Sequence, residues 1–551
     1  MSTSTFQHGL HRPSGGRQTW LPSLLIAIAI LCGAAPSTLS AAPQHDEHAL
    51  PENFDAPIRL YTGALGKFTR PISSKNAQAQ AYFSQGFQLM YAFAKVEAGR
   101  SFREAQRRDP TCAICYWGEA WAWGSYVNGR MTPQQAPHAY AAIQKAVALA
   151  PTHASPKEKA FIGAMAVRYV AHYDPARRGE QDAAYAAAMG RVAAAYPDDL
   201  DAATLYAEAL FLLLPRPRSF DVGDPAVARV LGVLEGALKR DIHHAGACHL
   251  YVHMTELTNH PEKAEPCVEF LGNSMPGASH INHMPAHTWA KVGRWGDAVR
   301  ASLHAWRSDQ KAATGEGILT YPAHDLQMLA FTASMDGQGS LAVQAGRGFA
   351  KLTGDPMYAG LTLVRFGRFD EVAGIGARPR GDIPAGVWDF AQGYAQLRRG
   401  DRVAAGRSLD RLLTAAASST AVFKIHPAKA LLGTLAGILD GEVRRAKGDL
   451  ATAIPAFERG VSLEDSLIVD DPEPLPFAAR HWLGAALLDA GRFADAERVY
   501  REDLARHPHN GWSLVGLQQA LKAQGKPSRE VDEDLRASWA RADTPIRASR
   551  F

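Results

Sequence analysis

A turn residue followed five positions later by alanine recurs six times in this chain. The pairs are Asn259 and Ala264, Gly293 and Ala298, Gly337 and Ala342, Gly400 and Ala405, Gly448 and Ala453, and Gly491 and Ala496. Glycine or asparagine ends a helix by taking a left-handed conformation that other residues resist. A small residue early in the following helix lets two antiparallel helices approach closely. A chain that repeats this pairing is a row of helical hairpins, and length adds hairpins without enlarging one core. At 551 residues the chain is too long for a single compact core. Between the turns, stretches such as HWLGAALLDAGRFADAERVY keep apolar residues at i, i+3, i+4 and i+7. No run alternates with period two for long enough to make a sheet.

The segment Leu483-Gly484, Gly491, Ala496, Tyr500 and Pro508 matches the tetratricopeptide pattern. The expected fold is therefore all-α, a right-handed superhelical solenoid of tetratricopeptide-like hairpins. The first helix of each hairpin lines the concave face. Repeat spacing is uneven, so some helices are lengthened. Proline-rich breaks at Leu214-Pro215-Arg216-Pro217, Arg378-Pro379 and Asp471-Pro472-Glu473-Pro474 act as kinks or connectors. The reading divides the chain into a leader (1–41), an extended segment (42–75), repeats carrying a histidine cluster (76–345) and C-terminal repeats (346–551).

The leader is expected because Arg12 and Arg17 precede the apolar run WLPSLLIAIAILCGAA, with small residues after it. That run is shorter than the ~20 residues that span a bilayer. No later stretch is apolar enough to cross one, so a periplasmic or secreted protein is expected. Net charge is +4, from 59 basic and 55 acidic residues, which excludes a strongly basic nucleic-acid binder. Four cysteines follow the leader, and an exported chain favours disulfides. Cys112 and Cys115 form a CxxC pair with no second CxxC and no histidine after it, so a four-thiolate zinc site and haem attachment both fail. A local bridge remains. No nucleotide signature is present.

Ten of the 21 histidines lie between His243 and His324. His249 and His253 form one HxxxH pair, and His283 and His287 another. On a helix, i and i+4 share a face, so both imidazoles of a pair can reach one ion. His249 and His283 are 34 residues apart, as are His253 and His287, which is one tetratricopeptide repeat. Each pair sits ten and six residues before its turn residue. The four histidines thus occupy equivalent places on neighbouring first helices, about 8–10 Å apart. Glu256, one turn past His253, could add an oxygen, and His280 could cap the cluster. In the next hairpin Gln327 stands at the place of His283, and His324 at that of His280. Such a donor set suits Zn, Cu, Fe or Mn.

Cys248 and Cys267 fall at similar heights on the two helices around Asn259, so a bridge there would stiffen the helix carrying His249 and His253. Trp117 and Trp121 share a helix face and are either packing or a groove surface for a ligand. Glu208, set among apolar residues, needs a partner, and the metal or a histidine is one option.

These residues resemble a known family. DPTCAICYWGEAWAWG, the block HAGACHLYVHMTE with SHINHMPAHTWAKVGRWGDAV, and LGAALLDAGRFADAERVYREDLARHPHNGWSLVGLQQAL are similar to exported bacterial tetratricopeptide-repeat proteins. The resemblance implies the fold over nearly all of the chain after the leader, and implies no settled activity. It also implies His-Asn-x-His in the hairpin after His287, where this chain has His324-Asp325-Leu326-Gln327. Two functions follow as expectations. One is a solenoid whose groove binds a peptide, a protein partner or a small ligand. The other is a metalloenzyme using the histidine site for hydrolysis or oxygen chemistry.

Overall fold

The computed structural model describes residues 55–215, 219–467 and 470–551. The expected leader lies outside the described residues. Ala42–Phe551 forms one unit, and its described residues form 24 α-helices that pair in sequence as twelve hairpins. The first six are α1 and α2 (Ala77–Tyr91, Lys95–Arg108), α3 and α4 (Ala113–Trp123, Ala136–His153), α5 and α6 (Pro156–Ala166, Arg178–Ala195), α7 and α8 (Leu200–Phe211, Pro225–Arg240), α9 and α10 (Ala245–Thr255, Glu265–Ser274), and α11 and α12 (Ser279–Lys291, Trp295–Ala313). The last six are α13 and α14 (Pro322–Met335, Gly339–Thr353), α15 and α16 (Met357–Arg365, Phe369–Val372), α17 and α18 (Asp382–Arg398, Arg402–Ser418), α19 and α20 (Ala428–Arg445, Leu450–Glu464), α21 and α22 (Arg480–Asp489, Phe493–Arg506), and α23 and α24 (Gly511–Ala523, Arg529–Ser538). Among the described residues the only ladder is a two-residue pair, β1 (Val422–Phe423) with β2 (His426–Pro427). First helices touch the first helices of adjacent hairpins, as α9, α11 and α13 do. This is an all-α helical repeat solenoid.

The recurring turn residues do what the spacing predicts. Gly293, Gly337, Gly400, Gly448 and Gly491 all have φ between 71° and 89°, the left-handed region. Asn259 is different: its hairpin turns through a short 3₁₀ segment, Pro261–Ala264. All six alanines five residues later are fully buried. Four residues beyond two of these alanines, Ala453 and Ala496, and beyond Ala98, an aromatic ring fills the gap between helices. Tyr500 lies so close to Gly484 and Gly516 that a Cβ at either position would sit 2.4 or 2.0 Å from its ring. Phe102 does the same between Gly86 and Gly118, and Phe457 against Gly441.

The face made by the first helices is largely covered by the chain itself. Residues 58–75, which form no helix or strand, lie across it. Gln88 donates to the carbonyls of Leu65 and Phe68 at 3.0 Å. Arg70 bonds Asp199 at 3.1 Å and pairs with Asp201, and the Ser73 amide donates to Glu158 at 2.8 Å. The C-terminal tail covers the other half. Ser549 donates to the His481 carbonyl at 2.6 Å, Tyr394 donates to the Phe551 carbonyl at 2.7 Å, and Arg550 pairs with Glu442 at 3.1 Å. The apolar core forms two clusters that interleave on α12 and α13. No described helix is long and apolar enough to cross a membrane.

Candidate metal centre

Three neighbouring first helices build the histidine cluster. α9 carries His249 and His253, α11 carries His280, His283 and His287, and α13 carries His324. The His244 side chain caps α9 by accepting from the Ala247 amide at 3.1 Å. Both cysteine pairs are bonded, Cys112 to Cys115 and Cys248 to Cys267. The second bridge joins α9 to α10 with Cα atoms 5.0 Å apart, directly beside His249. Replacing Cys248 and Cys267 together with alanine is expected to cost about 3 kcal/mol, from the entropy of a loop of this length. Urea unfolding measures this, and a loss under about 1 kcal/mol contradicts it.

The two HxxxH pairs do not converge on each other. Each pair instead recruits one histidine from the start of the next hairpin. In the first triad, His249 Nε2 is 3.1 Å from His280 Nε2 and 3.1 Å from His253 Nε2. In the second, His283 Nε2 is 2.6 Å from His287 Nε2 and 2.8 Å from His324 Nε2. His280 is therefore a full member of one triad, and His324 takes the same part in the other. The triads are neighbours: the rings of His280 and His283 are 6.0 Å apart, and those of His253 and His287 6.3 Å.

Four of the outer ring nitrogens face acceptors. The Nδ1–H of His249 donates to the Tyr91 carbonyl at 2.6 Å, and that of His253 to Glu256 Oε1 at 2.9 Å. His287 Nδ1 lies 3.2 Å from Glu256 Oε2 and 3.6 Å from Asp471 Oδ2, and His283 Nδ1 lies 3.4 Å from Asp325 Oδ1. A carbonyl can only accept, so the proton of neutral His249 is on Nδ1 and its Nε2 carries a lone pair. The same holds for His253 against its carboxylate. Their two Nε2 lone pairs face each other at 3.1 Å, where no hydrogen bond can form. Only a cation between them makes this favourable.

At four of these histidines an added proton is a poor choice of cation. His249, His253, His280, His283 and His287 are at most 5% exposed, and His324 is half-buried. Burial pushes the pKa of His249, His280, His283 and His324 well below the ordinary histidine value, with the neighbouring imidazoles or Lys424 adding to the effect. His287 departs from this: burial opposes its charge, but Glu256 and Asp471 outweigh that and raise its pKa. Metal ions fit better. Bonds of about 2.0–2.1 Å to one ion set ligand nitrogens roughly 2.9–3.4 Å apart. The first triad falls in that range, and the second is a few tenths of an ångström tighter.

Other predicted site residues land elsewhere. Glu256 meets the outer nitrogens of His253 and His287, away from the points where the Nε2 atoms meet, and with His287 and Asp471 it forms a third group of donors close enough to hold an ion. Gln327 is buried and donates to the Pro472 carbonyl at 3.4 Å. Trp117 and Trp121 are 1% exposed and pack among Phe87, Phe161 and each other, which leaves no open surface for ligand stacking. Glu208 is buried, and burial raises its pKa; the groups acting on it are Arg168, Trp121 and Lys95, with no histidine among them.

Four features escape the sequence reading. The Tyr91 carbonyl holds His249. Asp325 directly follows His324 and backs His283. Asp471 arrives from a proline-rich break near residue 471 and also pairs with Lys291 at 3.4 Å. Phe93 is the fourth. It occupies the turn position of the first hairpin with φ 59°, where six other hairpins use glycine: Gly293, Gly337, Gly367, Gly400, Gly448 and Gly491. A bulky residue in that conformation is strained. Its ring stacks on His253 at 5.4 Å and His280 at 5.3 Å, and covers His249 at 4.2 Å. Ala98, five residues later, is the sequence signal that marks Phe93 as a turn residue.

No protein-family model matches the chain, and no curated protein matches it. Solved structures similar to it include the human IFIT1 dimer with PPP-AAAA, at 13% identity and TM-score 0.30, covering 84% of this chain and 91% of that one. The APC/C hetero-tetramer Cut9-Hcn1 is similar at 13% identity and TM-score 0.28, covering 84% and 74%. The P58(IPK) TPR domain is similar at 12% identity and TM-score 0.19, covering 82% and 99%. Likeness at this level carries nothing about activity. The chain's own turns, alanines and interhairpin aromatics carry the conclusion that its fold is tetratricopeptide-like.

Proposed function

We propose that this protein is an exported metalloprotein that holds two transition-metal ions in adjacent three-histidine sites and uses them in chemistry on a small ligand. The single observation behind this is the pair of triads whose Nε2 atoms meet at 2.6–3.1 Å where α9, α11 and α13 come together. Zinc or copper suits a set of neutral imidazoles; calcium and magnesium want oxygen. Three protein ligands leave a position open on each ion, whereas structural zinc sites close with four. Carboxylates on the outer nitrogens orient such ligands and raise their basicity. A peptide in the groove is the weaker reading, because residues 58–75 and the C-terminal tail lie across the first helices. Export is supported by the leader pattern and the two disulfides.

The open positions provide the test. Azide added to the copper(II)-loaded protein is expected to give a new charge-transfer absorption band that saturates. Copper bound with no spectral response to azide or cyanide means closed, structural sites. No copper bound removes the proposal altogether.

A further inference from the structure

One carboxylate touches both triads. Glu256 caps the C-terminus of α9 and is held with its side chain 9% exposed. Oε1 accepts from His253 Nδ1 at 2.9 Å, and Oε2 lies 3.2 Å from His287 Nδ1. His253 belongs to the first triad and His287 to the second. Neither Oε2 nor His287 Nδ1 has a partner of good hydrogen-bond geometry, so the two face each other as an ion pair. Asp471, the other carboxylate near His287, is shared with Lys291. We infer that Glu256 links the two triads so that the protein takes up its metal ions as a pair. This rests on the metal-centre reading above.

The link works through ring orientation. An ion on His253 Nε2 requires that ring's proton on Nδ1, aimed at Oε1. Holding Oε1 fixes the carboxylate plane and so fixes Oε2 toward His287. His287 then keeps its own proton on Nδ1 and presents Nε2 to the second ion. The carboxylate charge between the sites also offsets repulsion between two dications. Glutamine cannot reproduce this. Its oxygen can accept from one ring, but its amide group donates to the other. That second ring must then carry its proton on Nε2, where it blocks the ion.

Zinc titration of the metal-free protein against a chromophoric chelator reads the link. The wild type is expected to take up two zinc ions in one cooperative step, with a Hill coefficient above one. Glu256→Gln is expected to hold one ion near wild-type affinity and the other at least tenfold more weakly, in line with the loss of an outer-nitrogen partner. His249→Ala, which removes a ligand of the first triad only, is expected to weaken the second site tenfold as well. It also serves if the glutamine variant does not fold. Two sites that fill independently, with both affinities unchanged in Glu256→Gln, overturn the link and leave the metal centre standing. A wild type that binds no zinc or copper overturns the metal centre, and the link falls with it.

Discussion

His283→Ala is expected to retain one transition-metal ion per chain where the wild type retains two. His283 Nε2 stands between His287 and His324, so its loss leaves the second triad with two donors that no longer converge. Losing a direct ligand costs more than the roughly 10–100-fold that removing an outer partner does, so dialysis against a weak chelator should empty that site. His260 is the control. It is half-buried outside the cluster, and its Nδ1 meets Glu262 at 3.0 Å in the turn between α9 and α10. His260→Ala should leave the metal content unchanged. Mass spectrometry of bound metal, with circular dichroism to confirm folding, decides the matter. A His283→Ala protein that keeps both ions contradicts the assignment of the second triad.

Asp503→Ala is expected to give the largest loss of stability, about 3–5 kcal/mol, because it strands buried partners. Asp503 is fully buried. Its carboxylate accepts from His481 at 3.1 Å, His507 at 3.0 Å, Asn510 at 3.1 Å and Ser513 at 2.5 Å. His507 continues to Glu473 at 3.1 Å. Burial opposes charge on His507, but Glu473 and Asp503 outweigh it and raise its pKa to about 10. The unfolded value is about 6.5. A raised folded pKa contributes stability that is complete below about pH 6.5 and lost as pH climbs through about 10. His481 is the opposite case. Burial, only partly offset by Asp503, lowers its pKa to about 4, so its contribution is present above about pH 6.5 and lost as pH falls toward 4. The melting temperature should thus fall on both sides of neutrality, and His507→Gln should flatten the alkaline side. An alkaline limb that His507→Gln leaves unchanged contradicts this account. Glu473 lies two residues from Asp471, so loosening this network should also weaken the second metal site.

The hairpins were legible because their causes are local. A left-handed turn needs glycine, a close helix crossing needs alanine, and the gap between hairpins needs a ring such as Tyr500. All three leave fixed spacings in the sequence. The histidine pairs were legible for the same reason, since i and i+4 share a face and the 34-residue interval repeats that face. How the pairs are grouped was not legible. Whether His253 meets His287 or His280 depends on the angle between α9 and α11, which spacing alone does not set. Asp471 was hidden because it reaches His287 from more than 180 residues away. Phe93 was hidden because it stands where glycine was expected. The covering of the first-helix face was hidden because residues 58–75 and the C-terminal tail carry no periodic pattern.

Crystals of the metal-loaded protein, measured at the absorption edge of the bound metal, test the central claim most directly. The account predicts two anomalous peaks. One should lie about 2.0–2.2 Å from the Nε2 atoms of His249, His253 and His280, and the other at the same distance from those of His283, His287 and His324. A single peak shared by His249, His253, His283 and His287, a peak bound directly by Glu256, or no peak would contradict it.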